Sequence, residues 1–476
     1  MSLELASTSS CPALVDIFYL ANPKQDCMNH ALLGENDDNK QVPLHASYTF
    51  NLMYQGRGMQ DIVASTWRHD EELGRGYILF SQSHHNGRVW RWEVGGGPIA
   101  IGRTLHLESS GCRSNEINKC HEKDDNTPPH AIVGSGGMAI DFHQGQGDKY
   151  SEGALVVAEW GEGRIVRMEE SNGARTPLVV QVPDICRHNN IADSTTSSKD
   201  APPPLRRLHQ PRSLLYAPFG DLLVADTLPD CQRAAIFHLS QAVHVEALES
   251  LAVSRKAHSW NETRHVHPVT VFYQNNIQEI GGMAMDPTWL NMYVTVKDQD
   301  GRILLIRLPA VLEKEDYDDD DDKSGQSSSD DDEDKTKKEE LVATKDEDEV
   351  VDPEVQDTSP EKLGGLMDDK ARVVMDMTQK LGLSETGPLV VSEKGHIFVA
   401  VPKGVAILSV SSGNGSEAPT ATLLGYLPTP EPPTSLTLGE DKFLYAFSSD
   451  SLYRIRINVG PVAVPTNLVV GKRQEK

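Results

Sequence analysis

Few side chains in this chain are spaced as a ready catalytic or metal-binding set. His84 and His85 precede Asn86-Gly87, a pair suited to a tight hairpin turn, so they read as turn neighbours. His265 and His267 share one face of an extended segment, yet no nearby carboxylate or third histidine completes a metal set. The acidic run YDDDDDKSGQSSSDDDEDKTKKEE (317–340) carries calcium-type ligands without an apolar frame to fix them, so it reads as a solvated loop. Cys11, Cys27, Cys112, Cys120, Cys186 and Cys231 stand at unrelated spacings with no CxxC pair. Free thiols are the first reading there, ahead of one or two disulfides and of a zinc site. His209 and Arg212, in RLHQPRS, offer a general base and an anion-binding group. A packed histidine and a rim salt bridge are their plainer alternatives. What either can do depends on the elements that hold it.

Those elements repeat. The phrase GGMAID (136–141) returns as GGMAMD (281–286), and each leads into two strand-like runs. After the first come GALVVAEW (153–160) and GRIVRME (163–169); after the second, NMYVTVKD (291–298) and GRILLIRL (301–308). Looser copies are GYILFSQS (76–83) with GRVWRWE (87–93), and PRSLLYAPFGDLLVADT (211–227) with AAIFHL (234–239). Two more are TGPLVVSEKGHIFVAVP (386–402) with GVAILSV (404–410), and PTSLTLGEDKFLYAFSS (433–449) with SLYRIRI (451–457). Repeated antiparallel meanders of blade length predict an all-β, six-bladed β-propeller. Their second strands centre near Phe80, Val157, Val224, Tyr293, Phe398 and Tyr445. Trp90 and Trp92 alternate and should pack between blades, while Asp141 and Asp286 end inner strands as turn residues. The glycines of the doubled phrase belong where inner strands converge on the central channel.

The propeller is expected over 46–460, with a decoration in 1–45 and a tail in 461–476. One strand within 46–54 is placed to pair with the last blade and close the ring, because an open ring leaves two bare sheet edges. A long acidic insertion, disordered over 317–360, is expected between the fourth and fifth blades. It dominates the charge: 313–369 holds 25 acidic and 7 basic residues, out of a formal net charge of −25. That sign disfavours nucleic acid and anionic membranes as partners. No stretch approaches the ~20 apolar residues of a membrane span. The run ALVDIFYLA (13–21) lacks a basic start, so no signal peptide is read and the cytoplasm is favoured over the outside.

The phrases of 136–179 and 206–227, with the closing PTSLTLGEDKFLYAFSSDSLYRIRI, resemble the gluconolactonase, senescence-marker-protein (regucalcin) and luciferin-regenerating enzyme family. The resemblance covers about 60–460 with gaps. It implies a divalent cation, usually calcium, at the channel mouth and hydrolysis of sugar lactones by Lewis-acid chemistry. Its ligand positions fall on Gln60 or Asp61, on Arg212, on Gly281 and on Thr386. A glycine offers no side-chain oxygen, and an arginine brings positive charge where a cation should sit. The nearby carboxylates Asp61, Glu279 and Glu385 could rebuild a site only if all turned inward, since a one-residue slip in a strand reverses the side chain.

Two readings follow. One is a hydrolase of sugar lactones or related esters with a diverged site. The other is a non-catalytic propeller that binds a small molecule, possibly anionic, or a protein partner at the channel mouth, its metal site lost. The channel-mouth candidates are Asp61, His209, Arg212, Glu279 and Glu385.

Overall fold

In a computed structural model of the chain, the residues described are 51–55, 62–70, 75–82, 89–93, 101–104, 135–141, 154–160, 163–168, 175–186, 204–240, 269–310, 366–411 and 418–463. Strand β1 is Asn51–Gln55. The first blade is β2 (Ile62–Asp70), β3 (Arg75–Gln82), β4 (Val89–Glu93) and β5 (Ile101–Thr104). The second is β6 (Ser135–Asp141), β7 (Ala154–Glu159), β8 (Arg164–Met168) and β9 (Arg175–Val179). A two-strand clip, β10 (Val182–Pro183) with β11 (Leu205–Arg206), precedes the third blade. That blade is β12 (Ser213–Tyr216), β13 (Leu222–Leu228), β14 (Arg233–Leu239) and β15 (Val269–Tyr273). The fourth is β16 (Ile277–Met285), β17 (Asn291–Asp298), β18 (Ile303–Pro309) and β19 (Arg372–Asp376). A short helix, α1 (Met377–Leu381), leads to the fifth: β20 (Leu389–Val391), β21 (His396–Val401), β22 (Gly404–Ser411) and β23 (Thr420–Pro428). The sixth is β24 (Ser435–Leu438), β25 (Phe443–Phe447) and β26 (Ser451–Arg456), with β1 as its outer strand.

The inner strands touch in the cyclic order β2, β6, β12, β16, β20, β24 and back to β2. This is the six-bladed propeller the repeats predict. Closure comes from β1 pairing antiparallel with β26, Asn51 opposite Arg454 and Gln55 opposite Ser451. One strand from the beginning of the chain thus covers the edge that the last blade would otherwise expose.

Period-two alternation explains why the central strands read as continuous apolar runs. In β21, Ile397 and Val399 pack with the fourth blade, while Phe398 and Ala400 pack with the sixth. Both faces of a blade are therefore interior, and neither can alternate with polar residues. Each fully buried Leu, Ile, Val or Phe contributes about 1.5–3 kcal/mol. At the closing seam Phe80 meets Phe447 with centroids 5.2 Å apart, and Trp92 meets Tyr445 edge-on at 5.7 Å. The side chain of Trp90 packs partly buried on the same cluster, so both tryptophans pack as expected.

Four expectations change in detail. The acidic segment is inserted within the fourth blade, between β18 and β19, and not between the fourth and fifth blades. An outer strand sits at the solvent edge, so chain added just before it leaves the blade's inner three strands intact. Residues 317–360 and 1–45 themselves lie outside the described residues, as do His84, His85, His265, His267 and four cysteines. Cys186 and Cys231 form a disulfide across 45 residues, with Cα atoms 5.6 Å apart, so free thiols are the wrong reading for that pair. Their spacing in sequence is arbitrary because β13 and the clip bring them together in space. Ordered structure also runs past residue 460, to Ala463. Asp286 is a turn residue as expected, accepting from Thr288 N and Oγ1 and from Asn291 Nδ2. Asp141 is instead buried at the end of β6, 3.9 Å from Arg167.

Candidate functional site

The six inner strands enclose a channel of about 790 Å³. At one end, here called the mouth, the lining begins with Arg212, Gly281, Gly282, Pro388 and Ser435. Small residues there are required by contact between blades. A Cβ on Gly281 would stand 2.7 Å from Gly387 O and 2.7 Å from Thr295 Oγ1, which itself donates to Gly387 O at 2.6 Å. A Cβ on Gly137 would stand 2.7 Å from Arg212 O. The pairing register also slips at these glycines, between Ser135 and Met138 in β6 and between Ile280 and Gly282 in β16. Each GGMA phrase thus encodes a bulge pressed against the backbone of the next blade.

Arg212 is placed by a chain of buried backbone bonds. Leu208 N donates to Gly163 O at 3.2 Å, and Arg212 N donates to Ala225 O at 3.1 Å. Between them, the Asp226 carboxylate accepts from His209 N at 2.8 Å and Gln210 N at 2.6 Å. Pro211 O accepts from Gly137 N at 3.1 Å and from the Trp160 indole at 3.0 Å. Burial pushes the Asp226 carboxyl up from 3.8 to about 6, more than its backbone hydrogen bonds pull it down. A lone carboxylate inside LLVADTL, otherwise a buried apolar strand, is the sequence signal for this support, and it was not read as one.

From that position Arg212 Nη1 donates to Glu279 Oε1 at 3.0 Å, joining the third blade to the fourth. The Arg212 side chain remains 40% exposed and Glu279 28%. Its Nε is buried with no hydrogen-bond partner among the described residues. A register slip between Ile277 and Glu279 precedes this contact and sets the direction of the Glu279 side chain. The pairing makes Arg212 a mouth salt bridge, the plainer of its two sequence readings, without removing it from solvent.

The other candidates disperse. His209 is not among the described channel-lining residues; its backbone serves Asp226, and burial lowers its imidazole below the usual 6.5, with Asp230 acting the other way. That corrects the reading of His209 as a channel base. Glu385 is exposed and contributes no described contact to the pair. Thr386 Oγ1 is buried without a described partner. Gln60 and Asp61 lie outside the described residues.

Calcium, the ion the resemblance implies, does not fit the donors described. Arg212 holds one Glu279 oxygen, Gly281 has neither a side-chain oxygen nor room for a side chain, and Thr386 offers a single hydroxyl. A hard cation wants six to eight oxygens. No group of three or more metal-ligating side chains forms among the described residues.

Fold and mouth together describe a six-bladed propeller with a candidate site at one end of its central channel. Solved structures similar to the chain include a gluconolactonase from Xanthomonas campestris, at 13% identity and TM-score 0.46, covering 89% of this chain and 96% of that one. A calcium-binding regucalcin from Agrobacterium tumefaciens is similar at 12% identity and TM-score 0.42, covering 87% and 95%. A luciferin-regenerating enzyme is similar at 14% and 0.43, covering 85% and 94%. These carry the names of the family that the sequence phrases resemble. No protein-family profile matches the chain, and no curated protein does.

Proposed function

We propose that this chain is a small-molecule-binding propeller, gluconolactonase-like in architecture, whose ligand carries an anionic or carbonyl group to Arg212 at the channel mouth. The observation that supports it is the Arg212 guanidinium, part-exposed and positioned by Asp226 and Pro211, where a cation would be expected. One Nη1 donor goes to Glu279 among the described contacts, and a guanidinium has five N–H donors in a fixed fork. A cavity of 790 Å³ falls within the size usual for small-molecule sites. Glu279 offsets the charge of Arg212, so repulsion alone does not argue against calcium. The shortage of free side-chain oxygen donors among the described residues does.

A second reading is hydrolysis of a sugar lactone or related ester without the ion, favoured by the closeness of Glu279 to Arg212. Arg212 would polarise the carbonyl, and Glu279 would take a proton from the attacking water and return it to the ring oxygen as the C–O bond breaks. The products are the hydroxy acid and the regenerated pair. One experiment separates the readings: calcium calorimetry and aldonolactone hydrolysis on the wild type, Arg212→Asn and Glu279→Gln. No micromolar calcium binding and no turnover in the wild type is the result expected. Turnover lost in Glu279→Gln would establish the hydrolase, and tight calcium binding with brisk turnover would overturn the proposal.

A further inference from the structure

The opposite end of the channel is built differently. After β26 the chain does not leave the domain but runs beneath three blades. Ile457 N donates to Lys442 O at 2.9 Å in the sixth blade. Glu393 N in the fifth donates to Gly460 O at 3.0 Å, and Gly460 N returns a bond to Glu393 Oε1 at 3.1 Å. Pro461 bridges to Ser392. Trp289, in the turn of the fourth blade, donates its indole N–H to Ala463 O at 2.9 Å. Val462 packs against the cores of both interfaces flanking the fourth blade. Gly460, Pro461, Val462 and Ala463 all line the same cavity as Arg212.

We infer that residues 457–463 are the floor of the binding channel, so that the site is a one-ended pocket with a polar lip and a mainly apolar wall. Its ligand is then an amphipathic molecule whose apolar body lies along that wall and whose anionic group stays at Arg212. Ligand class here rests on the proposed role of the mouth; the floor rests on the strap alone. Arg212, Glu279 and Ser213 stand at the lip, whereas Val462, Trp289 and Met285 stand at the base. Glu393, Glu440 and Lys442 also border the lower end, and Glu393 spends one oxygen on the strap's Gly460 N–H. Five lines of attachment over seven residues give the strap a fixed position, which is what a surface that sets ligand length requires.

The test uses the purified full chain and anilinonaphthalene sulfonate, a sulfonate on an apolar aromatic body, titrated by fluorescence. Val462→Trp fills the base and should weaken binding about tenfold or more, while Val462→Ala should not weaken it. Arg212→Met should weaken it from the other end. Affinity unchanged in Val462→Trp but reduced in Arg212→Met overturns the floor and leaves the mouth standing. The reverse pattern upholds the floor and overturns the mouth. No binding to the wild type at about 1 mM probe overturns both. Should Val462→Trp fail to fold, Val462→Met is read by the same criterion at about threefold.

Discussion

Asp226→Asn isolates the carboxylate that underlies the placement of Arg212. Asp226 is fully buried, and its side chain spans the backbone N–H groups of His209 and Gln210. Desolvation is the largest influence on it, raising its pKa from 3.8 to about 6. Between those values the native state holds a proton that the unfolded chain has released, so stability falls as pH rises from 4 through 6 and then levels off. The size of the move corresponds to about 3 kcal/mol by linkage. Asparagine resembles the protonated acid in shape and in having one good acceptor. The stability of the variant relative to the wild type should therefore rise by about 2–3 kcal/mol between pH 4 and pH 7. Denaturant unfolding of both proteins at pH 7, 5.5 and 4 measures this directly. A variant that is weaker at pH 7, with a gap that closes on acidification, would refute the reasoning. It would mean that the two short N–H bonds outweigh desolvation and that the native carboxyl titrates below 3.8.

Three further outcomes are expected. Gly281→Ala should cost about 1–3 kcal/mol in unfolding experiments, because its Cβ would stand 2.7 Å from both Gly387 O and Thr295 Oγ1 and disrupt the bond between them. Cys186→Ser should lower the melting temperature in oxidising buffer and not in reductant, the 45-residue separation setting an entropic scale of about 4 kcal/mol. Tyr445→Phe removes a 2.6 Å bond to Asp441 at the closing seam and should cost about 1–2 kcal/mol in the same assay.

The fold was legible because each blade writes its pattern locally. Phe80, Val157, Val224, Tyr293, Phe398 and Tyr445 all fall on second strands, between faces that must both be apolar. The site was less legible because it is made between blades. Arg212 and Glu279 are 67 residues apart, and their meeting depends on a register slip at Gln278 that no propensity announces. Cys186 and Cys231 likewise meet only after β13 has turned. In the closing strap, VGPVA shows no strand alternation, so nothing in its pattern distinguishes a floor from a tail. The resemblance set its ligand positions on Arg212, Gly281 and Thr386, and of these only Thr386 carries a side-chain oxygen.

The acidic insertion gives a last prediction, sharpened by what flanks it. Its leading end is fixed by Ala310 N, which donates to Leu290 O at 2.8 Å. On the far side, Leu366 N and Met367 N donate to Val271 O and Phe272 O at 3.1 and 2.8 Å, and Asp368 Oδ1 accepts from Gln274 N and Asn275 N. Met367 is 1% exposed within the core between the third and fourth blades. These anchors carry the chain back to β19. Deleting 317–360 leaves eleven residues, 311–316 and 361–365, able to span about 35 Å when extended. Shortening the loop from 55 residues to eleven should stabilise by about 1 kcal/mol through closure entropy. Met367→Ala, by contrast, opens the core and should cost about 2–5 kcal/mol. Scanning calorimetry of the two variants decides between them. A deletion that lowers the melting temperature by as much as Met367→Ala would show that the acidic run itself packs on the propeller, and that its charge is balanced there by basic groups of the blades.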